Sequence, residues 1–248
     1  MGDFLFAARS GLGFLTTIPV GISMEGLAAL GKRLYLFPVI GSVIGVLMGC
    51  AGYLFELFLP SQVASVVIII SLYYLTGINH LDGLADFGDG VVAHGSREKK
   101  IGAMRDVSLG IGGVVFCAIV ILGLFAAINE MLTDIFLVAM IAAEVSAKQA
   151  MLTISAFGKS IHPGLGSIMI DDTGFREFAI GLAFSIAVCW GAFGDTGLLM
   201  LGVAIGFSFV ALATANRNFG GISGDVIGAT NEIARLVALL VAGAWIVG

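Results

Sequence analysis

Residues 66–90 read VVIIISLYYLTGINHLDGLADFGDG, an apolar run followed by three aspartates in eight residues, Asp82, Asp86 and Asp89. The first half decides the fold class. Its surroundings, residues 62–81, are apolar over about 20 residues, the length a helix needs to cross a bilayer. The second half is the anomaly. A carboxylate close to a bilayer is costly, so three together call for a neutralising partner.

The rest of the chain follows the first half. Of its 248 residues, 58% are hydrophobic and only 12% charged, and mean hydropathy is +1.06. A soluble domain carries roughly twice that charge, so the composition excludes one. Spanning-length runs occur near 34–58, 62–81, 109–129, 133–156, 177–194, 197–215 and 226–247. The expected fold is therefore all-α: a polytopic integral membrane helix bundle of about seven transmembrane helices, forming one domain over 1–248. The segment 3–18 is short and glycine-broken, with Pro19 after it, and reads as an interfacial helix. No cleavable signal peptide is expected. Cys50, Cys117 and Cys189 fall inside apolar runs without ligand spacing and read as small buried hydrophobes. The mild net charge of −5 gives no reason to expect a nucleic-acid partner.

Basic residues orient the bundle. Arg9, Lys32 and Arg33 precede the first long span; Arg97, Lys99, Lys100 and Arg105 follow the second; Lys159, Arg176 and Arg217 lie in later loops of the same parity. The alternate loops, 59–61, 130–132 and 195–196, hold no Lys or Arg. By the positive-inside rule the basic loops are cytoplasmic and the C-terminus is outside. Loops 82–107, 157–176 and 216–226 carry most of the polar chemistry and share that side. The layout suits a multi-pass enzyme of the cytoplasmic membrane acting on water-soluble material, with the bilayer itself as a partner. The glycine ladder Gly41, Gly45, Gly49 reads as close helix packing.

If the helix through residue 77 continues, the acidic stretch acquires a face. At 100° per residue Asp86 lies ~40° from Asp82, Asp89 ~20° to the other side and Asn79 ~60° away, whereas His80 points ~160° off. Asn79, Asp82, Asp86 and Asp89 then form one stripe. A divalent cation relieves the repulsion, and Mg²⁺ suits carboxylate sites that also hold phosphates. Gly83, Gly88 and Gly90 leave room for a phosphate or another backbone. Asp106 is a further candidate ligand. Arg97, Lys100 and Arg105 are candidate phosphate binders, and Gly110, Gly112 and Gly113 open a helix whose N-terminus is a candidate anion site. Asp225 is either a helix cap or a site residue. Glu232 needs a partner within its span, which Arg235 can supply. Glu144 and Lys148 form an i, i+4 pair, and Lys148 is also a candidate for facing phosphates. Residues 158–174 read as a mobile loop able to cover a large substrate; His162 there reads as a surface residue.

These motifs, taken together, resemble the cobalamin synthase family (adenosylcobinamide-GDP ribazoletransferase). The resemblance runs over nearly the whole chain, through FLTTIPV (14–20), FPVIGSVIGVLMG (37–49), HLDGLADFGDG (80–90), MRDVSLGIGG (104–113), GLG (164–166) and GGISGDVIGA (220–229). It implies transfer of the adenosylcobinamide-phosphate moiety from adenosylcobinamide-GDP to α-ribazole or its 5′-phosphate, with release of GMP and a requirement for Mg²⁺. Carried over residue by residue, it implies metal ligands at Asp82, Asp86 and Asp89. The catalytic candidates are Asp82, Asp86, Asp106 and Asp225, and the substrate-binding candidates Asn79, Arg97, Arg105, Lys148, Asn231 and Glu232. A homo-oligomer, or a complex with other corrinoid-pathway proteins, is compatible with it. Many bacterial members read Asp-Ser-Arg-x-Gly where this chain has Asp106-Val107-Ser108-Leu109-Gly110, and Ser-Arg where it has Ala147-Lys148. Arg105 and Lys148 are the candidates to supply those cations. Two rivals remain. A CDP-alcohol or polyprenyl-phosphate phosphotransferase would also use Asp/Gly motifs, but its Arg is replaced here by Asp86. A transporter would place ionisable groups near mid-bilayer, with broken helices in symmetric halves.

Overall fold

A computed structural model of the chain describes residues 2–132 and 135–247; residues 133–134, which open one expected span, lie outside it. Among the described residues eleven helices follow in order: α1 (Gly2–Leu15), α2 (Met24–Gly31), α3 (Leu36–Glu56), α4 (Ser61–Thr76), α5 (Asn79–Val92), α6 (Arg97–Met104), α7 (Ile111–Met131), α8 (Phe136–Phe157), α9 (Leu165–Asp171), α10 (Phe175–Phe219) and α11 (Gly224–Val247). Five of them, α3, α7, α8, α10 and α11, are long and apolar enough to cross a membrane. The chain is a multi-pass membrane protein. Its 45-residue α10 would extend about 67 Å if straight, twice a bilayer core of about 30 Å. Phe193 and Gly194 break it, Gly194 at φ 56. A methyl group on Gly197 would press on the Cys189 backbone, so the chain doubles back there into two passes. That agrees with the separate spans expected at 177–194 and 197–215.

The second expected span is corrected. The helix does not continue past Gly77: α4 ends at Thr76, Gly77 takes φ 71, and α5 leaves at 95° to α4. A side chain at Gly77 would be strained in that left-handed conformation, so the break is written into the residue type. At 16 residues α4 spans about 24 Å, and we read α5, 14 residues long and polar on one face, as lying outside the spans.

Helix α8 is the axis, with α3, α10 and α11 packed around it; 83% of its apolar window is buried, against 33% in α7 and α10. This is why α8 and α11 tolerate charge: Glu144, Lys148, Glu232 and Arg235 are buried between the helices and never meet lipid. The glycine ladder of α3 does what its spacing predicts. An added Cβ at Gly41 would lie 2.7 Å from the Glu144 carbonyl oxygen, and at Gly45 2.6 Å from Ile141 Cα, so the two backbones touch. The outer faces of α7 and α10, with Ile119, Leu122, Trp190 and Val210, are exposed and apolar. Cys189 is buried and Cys117 partly so, but Cys50 sits on the outer face of α3 instead of inside.

The polar connecting segments gather at one end. Thr17 N–H donates to the Leu75 carbonyl, Ile161 N–H to Ile222 and Ile222 N–H to Lys159, while Arg97 Nη2 donates to the Asn216 carbonyl. The segment expected to be a mobile loop over 158–174 is docked instead. It contains α9, whose Met169 and Ile170 are buried and whose Gly166 lies against Gly224. α1, with only 14 residues, falls short of a span, in keeping with an interfacial helix.

Candidate active site

The acidic stripe belongs to α5 alone. Leu84, Ala85 and Phe87 are buried on its packing face, while Asn79 and Asp82 are exposed and Asp86 and Asp89 half-buried. The 100° phasing therefore holds, because Asn79–Val92 is one helix even though it is not a continuation of α4. Glycines bring its neighbours close. A Cβ at Gly83 would lie 2.9 Å from both Cα and the carbonyl oxygen of Asp225, and one at Gly88 2.9 Å from the Gly112 carbonyl oxygen. Of the two uses foreseen for these glycines, another backbone fills the space at Gly83 and Gly88, whereas at Gly90 the Met104 and Phe219 side chains fill it. Gly83 seats α5 against the start of α11, and Gly88 seats it against α7.

The carboxylates divide by environment. Asp89 caps α7: its Oδ2 accepts from Gly110 N–H at 2.8 Å and its Oδ1 from Gly113 N–H at 2.9 Å. The anion at that helix N-terminus is thus the protein's own carboxylate, and the foreseen phosphate site there is already filled. Asp86 is the perturbed one. Burial, then the charges of Asp225, Asp82 and Asp89, raise its carboxyl to about 6. Four carboxylates from two helices therefore converge on one region. Asp225 is not the cap of α11. Ser223 Oγ accepts from Val226 N–H at 3.5 Å and donates to Asp225 Oδ2 at 3.1 Å, which leaves most of the Asp225 carboxylate unspent. Asp106 is fully exposed, and its Oδ1 accepts from Ser108 N–H at 2.9 Å. That bond and the Ser108 hydroxyl hold its carboxyl below the usual range.

Two cavities flank the stripe. A polar one of about 270 Å³ is lined by Asp82, Asp86, Arg105 and Asp106 among others. An apolar one of about 450 Å³ meets the stripe through Asn79, His80 and Asp225. Of the three basic phosphate candidates, Arg105 alone lines the acidic cavity. Arg97 bonds the Asn216 carbonyl at 3.4 Å and Lys100 the Asn218 Oδ1 at 2.7 Å, both at the end of α10.

Lys148, Asn231 and Glu232 lie elsewhere, in a fully buried network within the bundle. Lys148 Nζ donates to Glu144 Oε2 and to Asn231 Oδ1, each at 2.8 Å. Arg235 pairs with Glu144 through Nε and with both oxygens of Glu232 through Nη1 at 2.7 Å. Asn231 Nδ2 donates to Glu232 Oε1 at 2.8 Å, and the Tyr73 hydroxyl donates to Glu232 Oε2 at 3.0 Å. Two acids and two bases cancel. The pairs foreseen separately, 144 with 148 and 232 with 235, are one charge-balanced quartet, so these residues turn to each other and not to a substrate phosphate. Such a quartet also answers the transporter alternative, since its charges are internally matched and need no carried ion.

Residue-level reasoning missed two participants. Tyr73 gave no distinguishing signal, since Ser71, Tyr74 and Thr76 in the same run also carry hydroxyls. His80, rightly separated from the stripe by angle, contacts Asn231 Nδ2 through its Nδ1 at 3.3 Å and links the quartet to the apolar cavity.

The donor set is compatible with a hard divalent cation. Among the described residues no three His, Cys, Asp or Glu side chains stand close enough to hold a metal by themselves. Mg²⁺ asks for less, commonly one or two carboxylates completed by substrate phosphates and water. The Asp86 carboxyl, raised by its burial and by the neighbouring carboxylates, sits where a cation would relieve the repulsion.

The chain is similar to known proteins along nearly its whole length. Residues 7–243 match the family described as cobalamin-5-phosphate synthase. An adenosylcobinamide-GDP ribazoletransferase of Methanococcoides burtonii is 47% identical, covering 97% of this chain and 93% of that protein. The enzyme of the same name from Methanosarcina barkeri is 44% identical over 97% and 92%, and that from Pyrococcus abyssi 34% over 94% and 96%. No solved structure matches the chain.

Proposed function

The chain belongs to the cobalamin-5-phosphate synthase family, and from that premise we propose that it moves the adenosylcobinamide-phosphate group of adenosylcobinamide-GDP onto α-ribazole or its 5′-phosphate, releasing GMP. The chain is a transferase. The observation that carries the reading is the meeting of Asp82 and Asp86 on α5 with Asp225 on α11, across the contact at Gly83.

Asp82 and Asp86 would hold Mg²⁺, which when bound polarises the pyrophosphate and stabilises GMP as it leaves. Arg105, on the rim of the same cavity, pairs with phosphate oxygens. A ribose hydroxyl of the acceptor attacks the cobinamide phosphorus; its O–P bond forms as the bond to the GMP oxygen breaks. Asp225 accepts the hydroxyl proton. It borders the apolar cavity as well as the stripe, and among the described residues its carboxylate has only Ser223 as a hydrogen-bonding neighbour. Asp106 is the poorer base, exposed and held acidic by Ser108. Asp89 keeps α7 and α5 in register. The site faces the cytoplasm on this reading, because every Lys and Arg except the buried Lys148 and Arg235 falls in segments gathered at its end of the bundle.

The test is GMP release from adenosylcobinamide-GDP by the purified protein in liposomes. Release should require both Mg²⁺ and α-ribazole. Release independent of ribazole, or none at all, would overturn the reading.

A further inference from the structure

The apolar cavity is chemically unlike the acidic one beside it. Its volume, about 450 Å³, falls within the range of about 300–1,000 Å³ usual for small-molecule sites. Phe14 and Phe37, stacked with ring centroids 6.3 Å apart, and Met151 and Met169 form part of its wall. Polar side chains stand at the end that meets the stripe, where Asn79, His80 and Asp225 lie. One of them has a fixed role. Asn231 is held by Lys148 and Glu232 so that its amide N–H faces His80 Nδ1 at 3.3 Å. His80 Nδ1 is therefore the acceptor, and Nε2 carries the ring proton.

We infer that this cavity seats the benzimidazole base of the acceptor nucleoside, with its ribose toward Asn79, His80 and Asp225. The inference rests on the transferase reading above and assigns the second substrate within it. A ribosylated benzimidazole is a flat bicycle with no N–H donor and a single ring-nitrogen acceptor, which lies on the ribose side. That acceptor matches the one N–H of His80, and the methylated edge falls against phenylalanine rings and thioethers, contacts that aromatic groups favour. Guanine does not fit the same space. Its amide and amino groups would be buried against apolar walls without partners, which is costly. The corrinoid is too large and too rich in amides. Seating the base here also brings the ribose to Asp225, the residue proposed to take its proton.

Leu165 and Ile22 line the cavity but are each 52% exposed, so enlarging them narrows the space without disturbing the packed core. In liposomes, Leu165→Trp and Ile22→Trp should raise the KM for α-ribazole about tenfold, with kcat and the KM for adenosylcobinamide-GDP within about twofold. For the wild type, benzimidazole riboside lacking both methyl groups should show a KM about tenfold above that of α-ribazole. A rise in the KM for adenosylcobinamide-GDP instead, or no change in either KM in both variants, overturns the assignment. Direct titration of α-ribazole against the protein, followed by the fluorescence of the base, separates the two readings. Binding that the Trp variants weaken, in a protein that releases no GMP, would sustain the pocket and sink the transferase reading.

Discussion

Gly83→Ala puts the active-site geometry to its most direct test. The added methyl would sit 2.9 Å from Asp225 Cα and 2.9 Å from its carbonyl oxygen. Carbon atoms rest about 3.5–4.0 Å apart, and the obstacle is backbone, so α5 and α11 must part by roughly 0.6–1 Å. For stability two terms oppose. Over-packing costs about 1–3 kcal/mol, while Ala for Gly inside a helix returns about 1 kcal/mol; the net cost is about 0–2 kcal/mol. For catalysis nothing offsets the shift. A misplacement near 1 Å between reacting groups costs on the order of 10²-fold, and here it separates Asp82 and Asp86 from Asp225. The expected result is a folded protein whose ribazole-dependent GMP release falls about 100-fold. Gly102→Ala, in α6 with nothing within 4 Å of its added Cβ, is the control and should keep full activity. Activity of Gly83→Ala within threefold of wild type, in matched liposomes and with equal unfolding midpoints, would refute the claim that the α5–α11 contact sets the site.

Other outcomes follow from the same structure. Asp89→Ala removes the cap of α7 and should cost about 1–2 kcal/mol in detergent unfolding, whereas Asp82→Asn should unfold like wild type and Asp86→Asn, which removes a repelled and partly buried charge, should unfold later than metal-free wild type at neutral pH; both should lose turnover. Lys148→Met leaves the buried quartet with net charge −1 and should cost about 3–5 kcal/mol; adding Glu144→Gln restores neutrality and should recover part of that loss, which a double-mutant cycle would read. Because the metal-free Asp86 carboxyl is raised to about 6, Mg²⁺ must displace a proton there at lower pH. Calorimetry should show affinity level above about pH 7 and falling toward tenfold per unit below 6; a flat profile to pH 5 would take Asp86 out of the metal site. The sign for stability is the reverse of a salt-bridged aspartate. The folded pKa lies above the unfolded one, so the metal-free protein should lose stability as pH rises between about 4 and 6.

What the sequence determined by itself was local and periodic. Apolar runs of bilayer length give the spanning helices, and 100° phasing puts Asn79, Asp82, Asp86 and Asp89 on one face. Four-residue glycine spacing gives the α3–α8 contact, and the charge asymmetry of the loops groups the polar segments. Each is encoded within one helix or one loop, where near neighbours in the chain are near neighbours in space. Tertiary structure decided which long-range partner each charge meets. Asp89 finds the amides of residues 21 and 24 positions away, Glu144 finds Arg235, and the turn at Gly77 swings the stripe onto α11, where Asp225 faces it. Sequence spacing is blind to those pairings, because any of several helices might have packed beside α5. Packing chooses among them: glycine backbones at 83 and 88 admit close approach by α11 and α7, and that contact separates the carboxylates into a cap, a metal-compatible pair and the aspartate proposed as base.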